Sequence, residues 1–152
     1  MALRSIRIND DPVLRKISRP VEDFGNRTQM LIDDMFDTMY DAGGVGLAAV
    51  QVGVLKRIVV IDTGEEDEKM VLVNPTIIAT EGEQHTEEGC LSLPGRSAIC
   101  NRPQKVTVRA QDRNGEFFER TGEDLLAKAF CHEIDHLDGI LYSDKVERWV
   151  NR

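Results

Sequence analysis

Positive charge, histidine, cysteine and long apolar runs are all scarce in this chain of 152 residues. Nineteen Lys and Arg stand against 27 Asp and Glu, a net charge of −8. That balance excludes a broad nucleic-acid footprint or a surface for acidic membranes, and no stable nucleic-acid binding is expected. No apolar run approaches the roughly 20 residues of a membrane span, so no membrane partner is expected. The first residues are broken up by Arg4, Arg7, Asp10, Asp11, Arg15 and Lys16. They contain no continuous apolar stretch of the signal-peptide kind. The cysteines, Cys90, Cys100 and Cys131, are odd in number and irregular in spacing, a poor disulfide framework. A reducing, cytoplasmic location is the expectation. Without an internal repeat, low-complexity tract or long linker, residues 1–152 are expected to form a single domain.

Against that background, two of the three histidines fall in five residues, His132-Glu133-Ile134-Asp135-His136. Histidines four apart share one helix face, so both imidazoles can bind one metal ion. Glu133, beside the first, can take the proton of a water activated there. The pattern supplies a cation site, a nucleophile and a base.

The rest of the chain reads as α+β. Asp10-Asp11-Pro12 predicts a helix start, with the helix ending near Ser18. A second helix is predicted to open at Thr28 and stop at Asp41-Ala42-Gly43-Gly44. It buries Met30, Leu31, Met35, Phe36 and Met39, with the methionines as core filler. Strands are predicted at Arg57–Ile61, Met70–Val73, Thr76–Glu81, Lys105–Ala110 and Glu116–Arg120. Asp112-Arg113-Asn114-Gly115 is the turn between the last two. Gly64–Lys69 is a charged loop. A third helix from Glu123, with Leu125, Leu126, Ala129 and Phe130 as its apolar face, carries the histidines and stops at Gly139. The expected architecture is short, mostly antiparallel strands packed around a central metal-binding helix.

A catalytic metal usually takes three protein ligands and keeps a position for water. One metalloprotease class has a third histidine in HExxHxxGxxH, where this chain has Gly139 and then Tyr142. Another uses a later glutamate, but Glu147 is the sole glutamate after His136. The search therefore turns upstream, to His85, Glu88 and Cys90. A Cys90 thiolate would be a soft, strong ligand for iron(II) or zinc. Gly89 before it allows close backbone approach, and Pro94-Gly95 is expected to turn the chain after it. Cys131, next to His132, faces about 100° away around the helix. The glycine-rich stretch Gly43–Gly53 fits neither a dinucleotide nor a phosphate loop. It offers a backbone edge for an extended peptide, with Gln51 as an amide donor.

Three stretches together resemble the peptide deformylase family: Gly44-Val45-Gly46-Leu47-Ala48-Ala49-Val50-Gln51 (GxGxAAxQ), Glu88-Gly89-Cys90-Leu91-Ser92 (EGCxS) and His132–His136 (HExxH). Order, spacing and length fit, so the resemblance covers nearly the whole chain. It implies removal of the N-formyl group from formyl-methionyl nascent peptides. It implies one divalent metal, natively iron(II) and often replaced by zinc, nickel or cobalt, held by Cys90, His132 and His136. Glu133 would be general base and then acid. Gln51 and the Leu91 backbone N–H would donate to the oxyanion. Gly44, Val45 and Gly46 would lie along the substrate, and Val45, Leu91, Leu125 and Ala129 would form the methionine slot. Arg102 is placed to pair with Glu88 and brace the Cys90 loop.

Some family members extend into a long basic helix that docks on the ribosome. Here the sequence stops at Arg152, so transient ribosome contact is expected rather than stable docking. Two rival readings remain at this point: a metallopeptidase with the same HExxH motif, and a structural metal site closed by His85 or Cys131 as fourth ligand.

Overall fold

The computed structural model describes residues 2–150. Met1, Asn151 and Arg152 of the expected single unit lie outside them. Among the described residues there are two α-helices, α1 (Asn26–Asp41) and α2 (Asp124–Leu137), and eight strands. The strands are β1 (Gly46–Ala48), β2 (Ile58–Asp62), β3 (Lys69–Glu81), β4 (Gln84–Cys90), β5 (Leu93–Arg102), β6 (Lys105–Gln111), β7 (Phe117–Glu123) and β8 (Val146–Trp149). They form two antiparallel sheets, ordered β1-β2-β3-β6-β7 and β4-β5-β8. The α+β expectation holds.

The five-stranded sheet lies between the two helices, and strand periodicity divides its side chains between them. In β2, Val59 and Ile61 join Leu126, Phe130, Ile134 and Leu137 of α2. Ile58 and Val60 join Leu31, Ile32, Met35 and Met39 of α1. This double coverage explains why Ile58–Ile61 is an unbroken β-branched run. In β6 only Val106, Val108 and Ala110 face α2, and they alternate with exposed or half-buried Lys105, Thr107 and Arg109. A third cluster, including Leu14, Leu93, Cys100 and Tyr142, packs under the smaller sheet.

The structure departs from the sequence reading in several places. The predicted first helix is a single 3-10 turn, Pro12–Arg15, capped by the Asp11 side chain on Val13 N–H. α1 begins two residues before Thr28, whose hydroxyl instead donates to the Asp23 carbonyl. Met35 and Met39 are core, but Met30 is 62% exposed. Asp34 is buried, because Arg4 and the Ala2 N–H bind its carboxylate. The runs at 70–73 and 76–81 are one strand. Pro75 is accommodated at a bulge where Asn74 takes φ +52. β4, β5 and β8 have no counterpart among the predicted strands. The chain reverses at Leu91-Ser92, and Pro94-Gly95 continues into β5 rather than turning.

Gly139 fixes the exit from α2. It has φ +74, and a Cβ there would lie 2.5 Å from the Arg15 carbonyl oxygen. Gly139→Ala is expected to cost about 1–3 kcal/mol of stability, read as a lowered urea midpoint with unchanged slope.

Candidate metal centre

α2 brings His132, Glu133 and His136 to one side while Leu126, Phe130 and Leu137 anchor it in the core. β7 leads directly into the helix, and Gly122 leaves room for Leu126, whose Cγ would stand 2.6 Å from a Cβ there. Opposite α2, the β4–β5 hairpin presents Cys90 at its tip. Cys90 Sγ lies 3.4 Å from His136 Nε2, which lies 3.3 Å from His132 Nε2. The three donor atoms are within 4.8 Å of one another.

The charges around these atoms fix their roles. His132 Nδ1 meets Glu88 Oε1 at 2.6 Å, an arrangement that leaves the Nε2 lone pair of a neutral ring facing Cys90 and His136. Glu88 is gripped by Arg102 through Nε and Nη2 at 3.0 and 2.7 Å. Burial works to raise Glu88, but the hydrogen bonds from His132 and Arg102 outweigh it and hold its pKa at about 2. Arg102 also reaches Asp135 at 2.9 Å, and Lys145 reaches the same carboxylate. Glu88 is therefore committed to Arg102 and His132 rather than to a metal.

His136 is driven well below its usual value, first by burial and then by the charge on His132. Burial pulls His132 the same way, but Glu133, Cys90 and Glu88 reverse it and raise it well above. A thiolate and two imidazoles at this spacing fit a divalent cation.

Glu133 is buried, which pushes its pKa to about 7. Its Oε1 has no hydrogen-bond partner. A Cβ on Gly46 would sit 2.6 Å from Oε2, so only glycine admits the carboxylate there. Gln51, in the 3-10 turn Ala49–Val52, is held at both ends of its amide. Oε1 accepts from Ala48 N–H at 2.9 Å, and Nε2 donates to Ser92 Oγ at 3.0 Å and toward Cys90 Sγ at 3.6 Å.

A cavity of about 470 Å³ opens beside these groups. Gly44, Val45, Gly46, Leu91, Leu125 and Ala129, the residues named from the sequence for substrate contact, all line it with Gln51 and Glu133. Leu125, expected on the apolar face of α2, is 41% exposed. The residues offered for a closed site lie elsewhere. His85 is exposed between Glu83 and Glu147. Burial pushes the Cys131 and Cys100 thiols up to about 11, which disfavours the thiolate form that binds metals. Among the described residues, the one cluster of metal-ligating donors is Cys90, His132 and His136.

Three neighbours escaped the sequence reading. Ser92 fixes Gln51, Asp135 extends the Arg102 pair, and Tyr142 stacks on His132 with ring centroids 6.0 Å apart. Asp135 sits inside the HExxH motif and Ser92 closes the EGCxS motif, but nothing local pointed to Tyr142 beside His132.

The comparisons with known proteins agree with this geometry. The family model described as Polypeptide deformylase matches residues 3–152. The peptide deformylase of Lachnoclostridium phytofermentans is 61% identical over 99% of this chain and 93% of its own. That of Finegoldia magna is 55% identical over 96% and 91%. The crystal structure of a peptide deformylase from Legionella pneumophila superposes with a TM-score of 0.93 at 54% identity, covering 96% of this chain and 87% of that one. On these matches and this site, the chain belongs to the peptide deformylase family, metal-dependent hydrolases that remove the N-formyl group from newly synthesised peptides.

Proposed function

We propose that residues 1–152 form one catalytic domain in which Cys90, His132 and His136 hold the metal, natively iron(II), and Glu133 moves the protons. The observation that carries this reading is the buried Glu133 Oε1, without a partner beside three metal-ligating atoms. A buried carboxylate with a pKa of about 7 suits a base that must later act as an acid. A divalent cation at that position supplies a Lewis acid for the formyl oxygen and lowers the pKa of water.

The chain's own groups complete the reaction. Glu133 accepts a proton as water oxygen attacks the formyl carbon. Gln51 Nε2 and the Leu91 N–H donate to the oxygen that gains negative charge. Glu133 then returns the proton to the amine nitrogen as the C–N bond breaks, and formate leaves. Val45, Leu91, Leu125 and Ala129 take the methionine side chain, and Gly44–Gly46 lie along the peptide backbone. Ribosome contact, on this reading, is transient.

Formate release from formyl-Met-Ala-Ser, with anaerobic iron(II)-loaded enzyme, tests the proposal directly. Turnover should exceed any cleavage of internal peptide bonds, and the reverse preference would favour the metallopeptidase reading. Chelation should stop turnover while the chain stays folded, whereas unfolding would indicate a structural metal. Gln51→Ala should lower kcat by roughly 10²–10³, about 2.7–4 kcal/mol, with metal content unchanged. Near-wild-type turnover would remove Gln51 from the mechanism.

A further inference from the structure

The N-terminal segment contributes no side chain to the cavity, yet its backbone joins the two loops that form the site. Arg7 N–H donates to the Gln51 carbonyl at 2.7 Å, and Asn9 N–H donates to the Ser92 carbonyl at 2.8 Å. Gln51 and Ser92 are 41 residues apart and are also joined by their side chains, Nε2 to Oγ at 3.0 Å. The segment therefore closes a ring, with backbone bonds on one side and a side-chain bond on the other.

The segment is itself anchored at both ends. Arg4 binds Thr38 Oγ1 through its N–H and Asp34 through Nε, both at 3.0 Å. Asp11 caps the Pro12–Arg15 turn, and the Arg7 guanidinium lies where a Cβ on Gly53 would be 2.8 Å away. Between the anchors the chain bends at Asn9, which takes φ +56 inside a turn closed by Asp11 N–H on the Ile8 carbonyl. Asparagine and glycine tolerate that conformation, and a β-branched residue does not.

We infer that residues 4–11 are a positioning strap that sets the distance between Gln51 and the Cys90–Ser92 turn. The inference rests on the reading of Gln51 as oxyanion donor. The Gln51 amide cannot swing, because Ala48 and Ser92 hold both its ends. Its remaining freedom is movement of the Ala49–Val52 turn against the β4–β5 hairpin, which the two backbone bonds oppose. A misplacement of about 1 Å at such a site can cost as much as 100-fold in rate.

The test is a double-mutant cycle in the metal-loaded enzyme, combining Asn9→Val or Asn9→Gly with Gln51→Ala. Asn9→Val should lower kcat roughly ten-fold or more, with KM within about two-fold and metal content unchanged. Asn9→Gly should restore most of the rate. In the Gln51→Ala background, Asn9→Val should cost less than about two-fold, because the group it misplaces is gone. An equal loss in both backgrounds, or wild-type kcat in folded Asn9→Val, overturns the strap. A fully active Gln51→Ala enzyme instead overturns the oxyanion role on which the strap depends. If Asn9→Val does not fold, Arg7→Pro, which deletes the donor to Gln51, decides the question in the same cycle.

Discussion

Glu133→Ala is expected to retain its metal and to lose turnover by roughly 10²–10⁴-fold, the usual contribution of a positioned acid–base group. Metal retention follows from geometry, since the cluster of Cys90, His132 and His136 donors does not include the Glu133 carboxylate. Loss of turnover follows from the surroundings of Glu133, since the described side chains offer no second buried, unpartnered carboxylate. Metal analysis with formate release on the same sample checks both halves. An active, metal-replete variant would sink the base role. The sign of the pH dependence is also fixed. The base must be deprotonated, so wild-type kcat/KM should fall as pH drops through the Glu133 pKa. Burial pushes that value up to about 7, and a neighbouring cation would move the falling limb to lower pH.

Arg102→Met is expected to destabilise the fold by about 3–5 kcal/mol. Arg102 is 2% exposed and Glu88 5%. Removing the guanidinium strands a buried carboxylate that no longer has its two-point partner, and it takes Arg102 from Asp135, which keeps Lys145. Urea unfolding reads the loss. Glu88 orients His132, so metal affinity should also weaken, by roughly 10–100-fold. The double variant Arg102→Met with Glu88→Gln removes both charges and should regain part of the stability, though not the affinity, because a neutral amide is a weaker acceptor for His132 Nδ1–H. Loss of stability with unchanged metal affinity would confine the pair to folding.

The chemistry of the site was legible because much of it is local. A spacing of four on a helix makes His132 and His136 neighbours, and Glu133 follows at the next position. The Asp112–Gly115 turn and the stop at Gly139 are likewise set by bonds within a few residues. The smaller sheet was not legible, for a physical reason. Gln84–Cys90 carries glutamates and a glycine instead of an apolar alternation, and it becomes a strand only because β5 pairs with it. The error over Pro94-Gly95 has the same origin, since cross-strand pairing overrides a local turn preference.

By itself the sequence determined the two-histidine helix, the glycine-rich edge, the α+β class and, through three motifs in order, the family. Tertiary structure decided which of His85, Glu88 and Cys90 stands beside the histidines. It put His85 in solvent, gave Glu88 to Arg102 and brought Cys90 Sγ within 3.4 Å of His136. It also buried Glu133, which pushes its pKa to about 7, and tied Gln51 to Ser92 and the N-terminal segment. These outcomes depend on distance and on exclusion of water, which arise only when residues some forty positions apart pack together.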